Sequence, residues 1–286
     1  MAKTRVVPTQ GVKSLSTFLN SDQIKNKFTE IMGKKGVGFI SSVLSAVNSN
    51  SLLQNADQNS IYTAALMAAT LDLPINQNLG LAYIIGYNTK QTDGTYKVMA
   101  QFQIGYKGFK QLAMRSGQFK TLHETVVKEG EIINHDRLTG SMKFNWIQDS
   151  SERLSEKTIG YISYFELLNG FSSIFYMTKE EAENHGKKYS QNYKKYGTGL
   201  WKDEFDAMAL KTVIKLNLSK NAPLSIEMQQ AVLSDQGVIK SDDFLNNPET
   251  LDVDHVDNTD KTKIEKIQDQ KQLIKDKGTN GKLDLK

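Results

Sequence analysis

Residues 95–117 read TYKVMAQFQIGYKGFKQLAMRSG, and this stretch predicts a β-strand that runs directly into a helix. Its first half is rich in β-forming residues, as is the segment AYIIGYN at residues 82–88, and the dipeptide Asp93-Gly94 between them is a turn signal. The two segments therefore predict a hairpin. From Lys107 onward, the helical period separates an apolar face from a cationic face.

The rest of the chain predicts helices on both sides of a run of strands. Residues 60–73 and 201–218 have the composition and boundaries of helices, and Asn169-Gly170 is the strongest hairpin signal in the sequence. The predicted strands after the first hairpin cover residues 122–130, 132–136, 142–147, 158–168 and 171–178. We expect an α+β fold in which antiparallel hairpins or a β-meander pack with helices.

Composition divides the chain into three parts. Residues 1–59 predict an N-terminal helical extension that we assign to subunit contacts, although packing onto the same domain is the more common fate of such helices. Residues 60–236 form the predicted core, which contains all of the predicted strands. Residues 237–286 predict a flexible acidic tail, in which residues 263–277 place apolar side chains near one helical face for possible partner docking. A solvated tail, or an acidic segment that competes with DNA, is the alternative.

Charge follows the same division. The chain carries a net charge of +4, which separates into −2 for the tail and +6 for the remainder. A basic body favours a polyanionic partner, although this total alone is also typical of ordinary surface charge.

Several functional classes are disfavoured by what the sequence lacks. The absence of cysteine excludes disulfides, thiol catalysis and thiolate metal sites, and it favours a reducing compartment. There is no G-x-x-x-x-G-K-[ST] loop and the histidines are scattered, so we expect no ATP, metal, cofactor or catalytic residue. A carboxylate metal site assembled only in the fold is the alternative. No apolar run approaches the roughly 18 residues of a membrane span, so we expect a cytoplasmic protein.

Three windows contain basic residues but neither Asp nor Glu. They cover residues 94–123, 184–202 and 207–226, and the middle one interleaves its lysines with tyrosines and a tryptophan. Like charges close together on a helix are unfavourable, whereas a row of phosphates makes the same cluster favourable. Cations that follow phosphates, with rings that can stack on bases, are typical of a groove for single-stranded nucleic acid. Any one of these lysines could also be solvated surface.

Three segments resemble, in order and spacing, the signature segments of the RecT family of phage and prophage recombinases, single-strand annealing proteins related to Redβ. They are LDLPINQNLGLAYIIGYN (71–88), QFQIGYKGFKQLAMRSG (101–117) and WKDEFDAMALKTVIKLNL (201–218). The resemblance implies strand annealing without ATP in DNA recombination, homo-oligomeric rings or helical filaments, and work beside an exonuclease and the host single-strand-binding protein. It also indicates a prophage of a Gram-positive bacterium as the source.

Given this resemblance, we expect the cations to bind the backbone of single-stranded DNA and of the annealed duplex in a groove that runs along the oligomer. The expected backbone contacts are Lys107, Lys110, Arg115, Lys211 and Lys215. Gln103 and Tyr106 are expected to orient sugar or phosphate, and Trp201 to stack on a base or brace the groove, with a core position as its alternative. A second set of contacts, for which solvated surface is nearly as good an interpretation, consists of Lys187, Lys188, Lys194, Lys195 and Lys202.

Two functions from other classes stay open. A passive coating protein would share the groove but would slow the pairing of strands. A structural phage protein would assemble without DNA, its basic face packing on an acidic face of its neighbour.

Overall fold

The computed structural model describes residues 12–91, 94–235, 237–246 and 251–254. Its helices are α1 (Val12–Leu19), α2 (Asp22–Met32), α3 (Gly36–Asn48), α4 (Ser51–Gln54), α5 (Gln58–Thr70), α6 (Tyr106–Arg115), α7 (Ser150–Ser155), α8 (Lys179–Tyr189), α9 (Gln191–Tyr196), α10 (Leu200–Asp203), α11 (Phe205–Asn221) and α12 (Ile226–Ser234). Its strands are β1 (Ala82–Lys90), β2 (Tyr96–Ile104), β3 (Phe119–Lys128), β4 (Ile132–His135), β5 (Met142–Phe144), β6 (Thr158–Leu167), β7 (Ser172–Thr178), β8 (Val238–Ile239) and β9 (Val253–Asp254).

This arrangement confirms the α+β class with antiparallel hairpins. In the described part of the chain the strands form four small sheets, ordered β1-β2, β3-β6-β7, β4-β5 and β8-β9. All the pairs within these sheets are antiparallel. Helices pack around the sheets and complete two apolar clusters.

The hairpin β1–β2 forms where the sequence predicts it, and it pairs Ala82 with Ile104 next to the start of α6. One face packs on α5. This helix has Asp57 as its N-cap, three residues before the start of the predicted helix at residue 60. The Asp57 carboxylate accepts the Ser60 N–H at 2.9 Å, which satisfies one free donor of the first turn. Since side chains alternate along a strand, the other face of the hairpin stays partly open and carries Tyr87.

The sheet β3-β6-β7 is covered on one face by α11, where Tyr161 packs with Ala209 and Val213. The predicted single helix over residues 201–218 is two helices, because Glu204 has φ −130° and ψ 51° and separates α10 from α11. On the other face lies a strap, residues 132–149, which contains β4 and β5. A cleft of about 520 Å³ opens between the strap and the sheet.

The N-terminal helices pack into the main core. Leu19, Phe28 and Val43 have no exposed surface and belong to the same apolar cluster as α5 and the first hairpin. The apolar side chains of these helices are thus buried within the same chain, which is the alternative given above. The assignment of residues 1–59 to subunit contacts stays a prediction.

The packed part of the chain runs past Gly237, where the sequence predicts the start of a flexible tail. Phe244 is only 1% exposed, and β8 lies beside β2. The Asp242 carboxylate accepts hydrogen bonds from Lys27 Nζ at 2.6 Å and from the Tyr62 hydroxyl at 3.0 Å. Composition does not predict that residues 237–246 pack on the core, because one buried ring, Phe244, and one ion pair, Lys27 with Asp242, hold them there. The amphipathic segment 263–277 lies outside the described residues.

Candidate nucleic-acid interface

A buried carboxylate organises the junction between β2 and α6. Asp235 follows α12 and its side chain has no exposed surface. Its Oδ1 accepts the Ile104 N–H at 3.0 Å, while its Oδ2 lies 2.5 Å from Lys215 Nζ. Lys211, one turn earlier on α11, has its Nζ 4.0 Å from Oδ1. We call Asp235, Lys211 and Lys215 the junction cluster.

The junction cluster holds two cations against one anion. Burial alone would raise the pKa of Asp235, but the two lysines and the Ile104 N–H hold it below its ordinary value. Burial lowers the pKa of Lys211, and Asp235 opposes that effect. The lysine side chains are 14% and 26% exposed and the carboxylate is not exposed, so a cluster with one excess positive charge reaches the surface through its lysines. An anion with oxygen atoms is the ligand that such a pair accepts.

Polar and aromatic groups surround the cluster. On the open face of the hairpin, Gln103 donates from Nε2 to the Tyr87 hydroxyl at 3.0 Å. Burial raises the pKa of Tyr87, and the negative charge of Asp235 raises it further. His185 of α8 is half-buried on the other side. Burial, with Lys215 and Lys188 as nearby charges, lowers the pKa of His185 to about 4, so this imidazole is neutral at pH 7.

The start of α6 continues this surface. Gly105 is the N-cap, and a Cβ there would lie 2.0 Å from the Gly80 carbonyl oxygen, so only glycine permits the close approach of the two segments. Tyr106, half-buried, packs against the core, and Lys107 is exposed with its stem beside Gly80. In the described ranges Lys107 has no ion pair.

Two of the expected backbone contacts have partners elsewhere. Lys110 lies 3.0 Å from the Glu124 carboxylate on β3, which is 10% exposed. Arg115 donates to the carbonyl oxygens of Leu71 and Asp72, each at 2.9 Å, and thereby satisfies the chain end of α5. The windows without acids are therefore not free of acids in space, because distant segments supply the counterions. The DNA-backbone contacts expected of Lys110 and Arg115 stay a prediction.

Trp201 lies in the second apolar cluster and is 6% exposed. Its indole fills the space left by Gly186, where an added Cβ would be 2.7 Å from the ring. It also packs edge-on against Phe205 and roughly parallel to Tyr193. Of the two roles expected for Trp201, this burial favours bracing over stacking on a base.

The helices α8 to α10 form a basic arm next to the junction cluster. Lys187 pairs with Glu183 at 2.6 Å, and Lys188 Nζ lies 5.0 Å from the centre of the Tyr189 ring. Three further lysines are exposed and have no ion pair among the described residues: Lys194, Lys195 and Lys202. The arm thus contributes exposed cations without ion pairs, whereas the cations of the junction cluster are paired with a carboxylate.

Sequence reasoning missed Asp235, Tyr87 and His185. Alternation along the strand could have placed Tyr87 and Gln103 on one open face, since Phe102 and Ile104 occupy the other. No pattern links Asp235 to the lysines of α11, because a different helix and a turn separate them.

The structure contains no group of three or more metal-ligating side chains that could hold an ion, within the residues it describes. Among the same residues, no helix has both the length and the apolar character needed to cross a bilayer. Positive charge that is fixed in place and reaches the surface is typical of the class of polyanion-binding proteins.

Comparisons identify the class further. Residues 38–252 match the family model described as RecT family. The chain is 39% identical over 265 residues to "Uncharacterized protein YqaK" of Bacillus subtilis strain 168, which covers 92% of this chain and 87% of that protein. It is 30% identical over 189 residues to "Protein RecT" of Escherichia coli strain K12, which covers 64% of this chain and 65% of that protein.

The chain therefore belongs to the RecT family, which confirms the resemblance of its three signature segments. Family membership makes it a DNA-binding recombination protein of the single-strand annealing class.

Proposed function

We propose that the protein binds single-stranded DNA by its phosphate backbone and anneals it to a complementary strand without ATP. The observation that carries this proposal is the junction cluster, in which two lysine side chains that are 14% and 26% exposed are paired with one fully buried carboxylate. Lysines that are already ordered lose little conformational entropy when they bind phosphate.

The chemistry of the cluster suits annealing. Ammonium groups contact phosphate oxygens, which position a strand but carry no sequence information. Base edges are then left for the incoming strand, so complementarity is tested by pairing itself. Lys107 and the basic arm extend the cationic surface away from the cluster, and Gln103 and Tyr106 flank it. Trp201 braces this surface through its core contacts, and Lys110 and Arg115 are proposed to contact phosphate in addition to their partners within the chain.

Assembly extends the same surface from one subunit to the next. We propose homo-oligomeric rings or helical filaments along which the groove is continuous, as the family implies. An exonuclease that generates single strands, and the single-strand-binding protein of the host, are the proposed partners. A prophage of a Gram-positive bacterium is the proposed source, supported by the Bacillus relative, and the bacterial cytoplasm is the proposed location.

Annealing is tested with two complementary oligonucleotides, one carrying a fluorophore and the other a quencher, mixed with the protein in the absence of ATP. The expected result is pairing faster than that of the strands alone, inside complexes that electron microscopy shows to depend on DNA. Tight binding with slower pairing would make the protein a passive coat. Assemblies that form equally without DNA and do not bind it would indicate a structural role.

The junction cluster is tested by a neutral replacement. Lys211→Gln and Lys215→Gln are combined with Asp235→Asn, because the lysine changes alone would leave a buried carboxylate without a partner. The affinity for oligo(dT) should fall, and the slope of log K against log salt should decrease by about 0.7 for each lost phosphate contact. The matched control is Lys34→Gln, an exposed lysine on the N-terminal helices. An unchanged slope in a folded cluster variant would place the DNA elsewhere.

A further inference from the structure

The strap cleft is a formed apolar site that DNA binding does not use. It lies on the face of the sheet β3-β6-β7 opposite α11. Its lining includes His123, Tyr164 and Ile174 from the sheet, and Phe144 and Trp146 from the strap. The strap rings are stacked, with centroids 4.6 Å apart and planes at 11°. A volume of about 520 Å³ lies within the range of about 300–1,000 Å³ typical of ligand pockets.

The strap is held rigidly over the sheet by one buried ion pair. Glu131 has no exposed side-chain surface, and its Oε1 accepts Arg153 Nε at 2.6 Å. Arg153 also donates to the Val126 carbonyl oxygen at 2.8 Å, which ties α7 to β3. The Glu131 carbonyl oxygen accepts the Asn145 N–H at 2.9 Å. The cleft is therefore ready for an occupant without rearrangement.

The hairpin β6–β7 ends in an exposed apolar tip of matching character. Leu168 is 69% exposed and Phe171 is 50% exposed. The turn is well ordered, because the Leu167 N–H donates to the Phe171 carbonyl oxygen at 2.8 Å and Asn169 Oδ1 accepts the Phe171 N–H at 2.9 Å. Gly170 provides the left-handed conformation, with φ +86°. Exposed apolar groups on a rigid turn are typical of an interaction site.

The charges near the strap cleft and near the tip of the hairpin β6–β7 are of opposite sign. On the other side of the strap from the stacked rings lies a group of carboxylates: Glu129, Asp149, Glu152 and Glu156. Lys120 near the tip is already paired with Glu166 of β6 at 2.8 Å. Lys220 has no ion pair among the described residues, and its Nζ lies 5.4 Å from the centre of the Phe175 ring on the hairpin. This cation is opposite in sign to the carboxylates beside the strap, so their charges would attract each other between two copies.

We propose that the tip Leu168–Phe171 of one subunit docks into the strap cleft of a second copy of the chain. A chain cannot fill its own cleft. Leu168 follows the end of β6 and lies four residues, or roughly 13 Å, from Tyr164, which pairs with His123 in the cleft. Each copy presents a tip and a cleft at different places, so the contact is heterologous and repeats from copy to copy. Repetition of this kind generates rings or filaments. The inference does not rest on the DNA-binding proposal.

Cysteine cross-linking tests the contact directly, because the natural chain has no cysteine. His123→Cys is placed at the cleft and Leu168→Cys at the tip. Within one chain these positions are too far apart for a disulfide, which requires a Cα separation of about 4.4–6.8 Å. Under mild oxidation without DNA, the double variant should give a ladder of covalent multimers. An equal mixture of the two single variants should give dimers only, because each chain then carries half of the contact.

The control replaces the cleft position by Leu138→Cys, which is 94% exposed on the loop between β4 and β5. If the His123→Cys mixture forms no more dimer than this control mixture, the proposal is wrong. As a second measurement, Leu168→Ser should weaken self-association in sedimentation by about tenfold or more while circular dichroism stays unchanged. Undiminished oligomers of the Leu168→Ser variant would overturn the assignment. So would a His123→Cys thiol that oligo(dT) protects from oxidation and that self-association leaves unprotected.

Discussion

Removing the charge of Asp235 should destabilise the fold and make DNA binding more sensitive to pH. Asp235→Asn keeps the shape of the side chain and can still accept the Ile104 N–H. It leaves Lys211 and Lys215 as like charges without a counterion, because the carboxylate it removes lies 4.0 Å from Lys211 Nζ and 2.5 Å from Lys215 Nζ. Breaking a buried ion pair by removing one partner costs about 3–5 kcal/mol. We expect a loss of that size in the free energy of unfolding at pH 7.

The pH dependence identifies the cause. In the wild type the pKa of Asp235 is held low, so its stabilisation is present above its unfolded pKa of about 3.9 and is lost as the pH falls through the lower folded value. In the variant, the pKa of Lys211 should fall further below that of the unfolded chain, because burial is no longer opposed. The unfolded state then binds more protons in the alkaline range. The stability difference between variant and wild type should therefore shrink as the pH rises from 7 toward 10.

Urea unfolding measured from pH 6 to 10, with oligo(dT) binding by fluorescence anisotropy at the same pH values, tests this reasoning. DNA affinity of the variant should decrease with rising pH more steeply than that of the wild type, since a neutral Lys211 cannot neutralise phosphate. The control is Asp252→Asn, whose exposed pair with Lys240 should be worth no more than about 1 kcal/mol. A loss below about 1 kcal/mol that does not change with pH would refute the role assigned to Asp235.

Three further changes test other parts of the structure. Gly186→Ala should destabilise the fold by about 1–3 kcal/mol in urea unfolding, since its Cβ would overlap the buried Trp201 indole. As a control, Gly38→Ala should be neutral or stabilising, because the space around Gly38 inside α3 is open. Lys107→Ala should reduce the salt slope of oligo(dT) binding by about 0.7 with no change in the unfolding midpoint, and Lys34→Ala should change neither. Glu131→Gln should cost about 3–5 kcal/mol at pH 7. Although burial opposes it, hydrogen bonding to arginine and the backbone keeps the pKa of Glu131 low, so this difference should diminish as the pH is lowered below about 4.3.

Local patterns in the sequence predict most of the fold. The β-forming composition of β1 and β2 and the turn signal at Asn169-Gly170 both depend on neighbours within a few residues, and the structure confirms both hairpins. The break at Glu204 is not predicted, because apolar spacing continues across it.

The partners of the charged residues could not be predicted in the same way. Lys110 has its counterion on β3 and Arg115 has its partners after α5, contacts that depend on how elements pack. Acid-free windows correctly locate cations but cannot reveal a carboxylate that folds back onto them, as Asp235 does. Burial of Trp201 depends equally on Gly186, which lies on another helix.

The ion pair between Lys27 and Asp242 joins positions 215 residues apart. Contacts of such long sequence separation form late, because the intervening chain must first be ordered. On the ribosome, the N-terminal helices therefore wait for the segment that contains Asp242, and Lys211 and Lys215 wait in the same way for Asp235. A nascent chain lacks the arranged charges of the junction cluster until Asp235 has been synthesised and has emerged.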